Sequence, residues 1–202
     1  MKIYTKTGDY GTTRTLIDTR ISKSDIQIHC LGEMDELSSH LSLVVEHLKL
    51  HPGLVHEMSM VVSILHWLFD ISTHVASLSP NDEDDEEEIY DKYRVNPPVN
   101  ELEQWIDDHD GRLPKLTNFI LSIGSIEASH VHVARSVCRR VERSLVALYH
   151  HLKHSSILEK ILPYFNRLSD LLFVLARTVN HHLHKPEIIH RMAQPPSSPK
   201  ES

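Results

Sequence analysis

Arginine recurs at every fourth position through Arg135, Arg139 and Arg143, in a stretch that reads Arg135-Ser-Val-Cys-Arg139-Arg140-Val-Glu142-Arg143. On a helix each of the three lies about 40° further round than the last, so they form one slowly winding stripe. Val137, Cys138, Val141 and Leu145 make the apolar side of the same helix. Guanidinium forks match phosphate oxygens in pairs and never lose their charge. Beside a buried seam, such a stripe suits a polyphosphate; the other reading is a solvated cationic face.

Two further groups of residues carry chemistry. The chain opens Tyr4-Thr5-Lys6-Thr7-Gly8-Asp9-Tyr10-Gly11-Thr12-Thr13, and Lys23 follows in Arg20-Ile-Ser-Lys23. Glycines and threonines disfavour a helix here and allow a loop whose N–H groups, hydroxyls and ammonium converge on an anion. It is not a Walker A loop, and a plain turn is the alternative. Asn166 and Asp170, one turn apart, share a helix face. Leu171, Phe173 and Val174 flank them with apolar surface, which predicts a tight protein environment where both need partners. An interhelix hydrogen bond would satisfy the same spacing.

The elements that must position these residues are helices. Apolar spacing predicts helices over about 31–50, 54–77, 100–109, 125–151 and 162–184. Pro163 suits a first turn and predicts that no helix runs on from Ser156. Residues before Cys30 read as loop with short extended pieces. The acidic run 81–88 reads as a surface loop and 193–202 as a tail, leaving one domain over 1–192. Four long helices and a short one, with almost no strand signal, make an all-α five-helix bundle with an irregular N-terminal segment.

Composition narrows the function classes. Lys and Arg total 21 against 28 Asp and Glu, a net charge of −7, which argues against a nucleic-acid partner. The arginine stripe is therefore a local concentration suited to a small anion. No apolar run reads as a membrane span and the start shows no signal-peptide pattern. Cys30, expected just before a helix, and Cys138 read as reduced, buried thiols of a cytoplasmic protein. Among the 17 histidines, His47/His51 and His150/His154 have a metal-like spacing without a zinc-site glutamate; they read as surface residues near helix ends, with no metal bound by the protein.

Taken in order, Tyr-Thr-Lys-Thr-Gly-Asp-x-Gly, Gly32-Glu-Met-Asp35-Glu36-Leu37, Phe119-Ile-Leu, Ala134-Arg135-Ser-Val-Cys-Arg139-Arg140-x-Glu142-Arg143 and Asn166-Arg-Leu-Ser-Asp170 resemble the PduO-type ATP:cob(I)alamin adenosyltransferases. The resemblance runs from about Lys2 to about His184. It implies a homotrimer of five-helix bundles with ATP between neighbouring subunits. The implied reaction transfers the 5′-deoxyadenosyl group of ATP to the cobalt of a reduced corrinoid and releases triphosphate. Co(I) is itself the nucleophile, so the protein must bind the leaving group, align C5′ and ease reduction of Co(II).

The resemblance also implies roles. Thr5, Lys6, Thr7, Gly8, Thr13, Arg14 and Lys23 would wrap the phosphates, together with Arg139 and Arg143 and a Mg²⁺ bridged by ATP itself. Arg140, Glu142 and Asn166 would complete the nucleotide pocket. Phe119 would shield the lower face of cobalt, Asp35 and Arg135 would pair across subunits, and Asp170 would orient an arginine or the corrinoid. Implied partners are a flavin-dependent reductase and a cobalamin-dependent acceptor enzyme. Three departures stand out: Ile17-Asp18-Thr19 where the family has a glycine, Arg14 for a small hydroxyl residue, and Ser122-Ile123-Gly124 for Pro-Gly-Gly. The last keeps open a non-catalytic trimeric carrier or regulator of nucleotide or corrinoid.

Overall fold

The computed structural model describes residues 4, 6–78 and 96–191. Thr5, the acidic run 81–88 and the tail 193–202 lie outside them. A two-stranded antiparallel hairpin comes first: β1 (Thr12–Arg14) pairs with β2 (Arg20–Ser22), with Thr13 opposite Ile21. Among the described residues five helices follow: α1 (Ile26–Leu48), α2 (Val55–Ser77) after a 3-10 turn at Pro52–Leu54, α3 (Val99–Asp110), α4 (Ile126–His151) and α5 (Ser156–His182).

α1 packs on α2 and α4, α4 packs on α5, and α5 packs on α3. The order α2·α1·α4·α5·α3 closes on itself through a buried pair, His109 Nε2 of α3 at 3.2 Å from Glu57 Oε1 of α2. The core is one cluster that includes Met34, Leu37 and Leu41 of α1, Ile64 and Leu68 of α2, Leu145 of α4 and Phe165 of α5. By length and hydropathy alone, Pro52–Ser77 would suffice to cross a bilayer. In the bundle its Val61, Ile64, Leu68, Ile71 and Val75 are buried as core residues.

Two helix starts differ from the sequence reading. α1 begins at Ile26 rather than near Leu31, because Asp25 caps it by accepting from Gln27 N at 2.9 Å. Cys30 therefore lies inside α1, buried, and burial pushes its thiol up to about 12. Cys138 is also a buried free thiol. α5 begins at Ser156 and carries Pro163 within it. Proline removes one helical N–H and crowds the preceding turn. The turns before it persist because Ile157, Leu158 and Ile161 are all buried in the core.

Candidate functional site

The N-terminal loop and hairpin form a cationic cup. Lys6, Thr7, Gly8, Thr13, Arg14 and Arg20 line a cavity of ≈ 480 Å³. Lys23, just after β2, brings its ammonium close to this loop: a Cβ on Gly8 would stand 3.2 Å from Lys23 Nζ, a tight contact that the flexible lysine could relieve by a small shift. Arg20 braces the cup, donating from Nε to Thr12 Oγ1 at 2.8 Å and from Nη2 to the Thr7 carbonyl at 3.4 Å. It was quoted in the sequence but not singled out; its place opposite Arg14 across the hairpin is what brings it to the cavity. The hairpin turn explains one departure. Asp18 takes the left-handed φ of 59° that a glycine would supply, a conformation Asp tolerates. It also pairs with Arg14, drawing that guanidinium to the edge of the cup.

The arginine stripe lies on α4, whose N-terminus Ser125 caps by accepting from Ala128 N at 3.0 Å. A groove of ≈ 430 Å³ is lined by Ser129, His132, Arg135, Ser136, Arg140 and Arg143, among others. Arg139 and Arg143 are exposed, and Arg143 Nη1 donates to the Arg139 carbonyl at 3.0 Å. Arg140 pairs with Glu36 and lies 3.7 Å from Glu33, both on α1. Expected in the nucleotide pocket, it is thus held within the subunit by two carboxylates. Burial, and then Arg135, push His132 down to about 4, so it stays neutral at pH 7 and adds no charge to the groove.

Arg135 is half-buried, and its Nε is fully enclosed with no hydrogen-bond partner. Asp35 on α1 is exposed, and among the described residues no ion pair joins the two within one subunit. A buried guanidinium nitrogen without a partner is costly.

Asn166 Nδ2 donates to Glu142 Oε1 at 3.0 Å, linking α5 to α4, and Asn166 Oδ1 accepts from Arg167 at 2.7 Å. The interhelix bond is therefore real, but the tight environment is not: Asn166 and Asp170 are both exposed. α5 buries Phe165, Leu168, Leu171, Leu172 and Leu175, and these two fall on the strip left over.

Phe119 sits in the loop between α3 and α4 with 87% of its surface exposed. Leu116, Thr117, Asn118, Phe119 and His190 line a cavity of ≈ 530 Å³. The segment after α5 pairs with this loop: Leu121 N donates to the Ile188 carbonyl and His190 N to the Phe119 carbonyl, each at 2.8 Å. The Ser122-Ile123-Gly124 turn keeps its essential glycine, since Gly124 has φ +144°.

Several histidines each meet a neighbouring side chain rather than gather in a cluster. His47 stacks on His130 at 4.7 Å, His51 meets Glu127 at 3.1 Å, and His150 meets His154 edge-on at 5.3 Å. Among the described residues no three His, Cys, Asp or Glu side chains are placed to hold a metal ion.

One subunit thus assembles two clusters, the cup and the α4 groove, whose cavities have no lining residue in common. The cobalamin adenosyltransferase family model matches residues 3–179. A corrinoid adenosyltransferase of Bacillus subtilis is 38% identical over 180 residues, covering 89% of this chain and 87% of the relative. A cobalamin adenosyltransferase of Cupriavidus metallidurans is 37% identical over 180 residues, covering 89% and 88%. Among solved structures, a phenylalanine-to-histidine variant of the PduO-type ATP:corrinoid adenosyltransferase from Lactobacillus reuteri, complexed with cobalamin and ATP, superposes with a TM-score of 0.79. It is 31% identical, with 94% of this chain and 97% of that chain covered. An arginine-to-lysine variant of the same enzyme, complexed with ATP, gives a TM-score of 0.78 at 31% identity, covering 94% of this chain and 100% of that one. With the family matched over nearly the whole described bundle, the chain belongs to the cobalamin adenosyltransferases.

Proposed function

We propose that this chain moves the 5′-deoxyadenosyl group of ATP onto the cobalt of a reduced corrinoid, releasing triphosphate and forming adenosylcobalamin. The observation that carries this reading is the cationic cup at the N-terminus. Its donors are lysine, arginine, threonine and backbone N–H, a set that suits triphosphate and repels a bare divalent ion. Mg²⁺ would enter with the nucleotide and offset part of the phosphate charge. Charge that develops on the departing triphosphate is met by cations already in place, with little reorganisation.

In this reading Thr5, Lys6, Thr7, Gly8, Thr13, Arg14 and Lys23 from one subunit face Arg139, Arg143, Glu142 and Asn166 of a neighbour. Arg20 and Arg140 act as braces. The enclosed, partnerless Nε of Arg135 and the exposed Asp35 suit an ion pair made between subunits of a homotrimer. Phe119 faces the corrinoid from below, and Asp170 lies on the open strip of α5 that would meet it. The chain works in the cytoplasm, where its two thiols stay reduced, receiving electrons from a flavin-dependent reductase and passing product to a cobalamin-dependent enzyme.

The carrier reading drew on the altered Ser122-Ile123-Gly124 turn; with Gly124 in the required conformation, turnover is the better account. The test is purified protein with ATP, Mg²⁺ and chemically reduced cobalamin, followed by absorbance. The expected result is the spectrum of a cobalt–carbon bond. Binding of both substrates without that bond would leave a carrier.

A further inference from the structure

We propose that Arg177 and Asn180 are positioning residues: they fix the loop that carries Phe119 and thereby set how the corrinoid, and not the nucleotide, is held. The inference rests on the reading of Phe119 as the corrinoid-facing ring.

The two side chains are three residues apart on α5 and share a face. Arg177 is 2% exposed and Asn180 4%. Burial of a guanidinium and an amide among Leu175, Ala176 and Val179 is costly unless every polar atom finds a partner. The partners all lie outside α5. Arg177 Nη1 donates to Asp110 Oδ1 at 2.9 Å, Nη2 to the Pro114 carbonyl at 2.7 Å, and Nε to Glu187 Oε1 at 2.6 Å. Asn180 Oδ1 accepts from Ser125 N at 2.9 Å, and its Nδ2 donates to the Ile123 carbonyl at 3.1 Å.

These contacts hold both ends of one segment. Asp110 is the last residue of α3 and Ser125 is the cap of α4. Phe119 stands between them and makes almost no packing contact of its own, so its place follows from the backbone on either side. The third arm of Arg177, to Glu187, secures the stretch whose Ile188 and His190 pair with Leu121 and Phe119. The fit at Asn180 is close. A Cβ on Gly124 would lie 2.2 Å from Asn180 Oδ1, so the glycine is required by contact as well as by its φ. None of these partners belongs to the cup or to the arginine stripe.

The experiment compares Arg177→Lys and Asn180→Ala with the parent chain, using ATP, Mg²⁺ and cobalamin. Lysine keeps the charge, but its three N–H bonds leave a single nitrogen and cannot span acceptors that the guanidinium reaches from Nε, Nη1 and Nη2. Three quantities are read: KM for each substrate, the four-coordinate Co(II) signal by electron paramagnetic resonance with ATP bound, and Tm. The expected result is a rise of roughly 10- to 100-fold in KM for cobalamin, a weakened four-coordinate signal and an unchanged KM for ATP. Should either variant fail to fold, Asp110→Asn and Glu187→Gln each weaken one arm and leave Arg177 its other partners. They should shift the same two corrinoid readouts in the same direction. Folded variants that lose both substrates equally, or neither, overturn the proposal. If the parent chain itself forms neither the signal nor adenosylcobalamin, the functional reading falls first and this one with it.

Discussion

Replacing Phe119 by alanine separates stability from chemistry. A phenylalanine in the core costs about 3–5 kcal/mol to truncate, because a cavity is left. Phe119 is 87% exposed, so only about an eighth of its surface is covered. A Phe side chain offers roughly 200 Å² to bury, so about 25 Å² is at stake. At ~25 cal/mol per Å² this amounts to ~0.6 kcal/mol. For a domain of this size Tm should fall by only about 1–3 °C. The chemistry should suffer far more. On the proposed role of Phe119, loss of the ring should leave water or the base below cobalt, make Co(II) harder to reduce and slow adenosylation, with KM for ATP unchanged. The assay pairs calorimetry with electron paramagnetic resonance of Co(II) cobalamin in the presence of ATP. A variant that melts ten degrees early, or one that keeps the full four-coordinate signal, would refute the reasoning.

Arg139→Ala should weaken ATP binding tenfold or more, since a charge-assisted phosphate contact contributes roughly 1.5–3 kcal/mol; its helix should survive, which circular dichroism and an ATP titration will check together. Asp35→Ala breaks no ion pair within the subunit, so its effect should depend on concentration: light scattering at micromolar protein should show less trimer, and unchanged mass would exclude the cross-subunit pair. The buried His109–Glu57 pair sets a pH window. Its hydrogen bond raises the pKa of His109 and lowers that of Glu57. The histidine's contribution is full below its unfolded pKa near 6.5 and is lost as pH rises through its higher folded value; the glutamate's is full above about 4.5 and is lost as pH falls through its lower one. Tm should therefore gain most from the pair between roughly pH 4.5 and 6.5, and Glu57→Gln should flatten that maximum.

The helices were legible wherever periodicity and caps agreed. α4 starts within a residue of expectation because Ser125 is a capping residue just before an apolar run. α1 starts early because Asp25 does the same work just before Ile26-Gln-Ile28-His-Cys30, a capping signal available in the sequence. Pro163 misled for the opposite reason: its local preference was real, and the burial of Ile157, Leu158 and Ile161 outweighed it. Of the site, the residue types were legible and their company was not. Nothing local in the sequence marks Arg177 or Asn180, since their partners lie up to 67 residues away in sequence. Arg140 reads in the sequence as part of the nucleotide pocket; that it lines the groove while braced by Glu33 and Glu36 depends on α1 lying alongside α4. The openness of Asn166 and Asp170 depends on which strip of α5 the other helices leave uncovered.

The separation of the cup from the α4 groove has a genetic consequence. If every site draws its cup from one subunit and its groove from the next, a lesion in either half damages a different partner. Chains carrying Lys6→Ala and chains carrying Arg139→Ala would each bind ATP poorly alone and turn over little at ATP concentrations below the weakened affinity. Unfolded, mixed in equal amounts and refolded, they would restore about a quarter of the sites, those where an intact cup meets an intact groove. Two alleles of this protein, each defective by itself, would then support one another in the same cell, whereas two lesions within the cup never would.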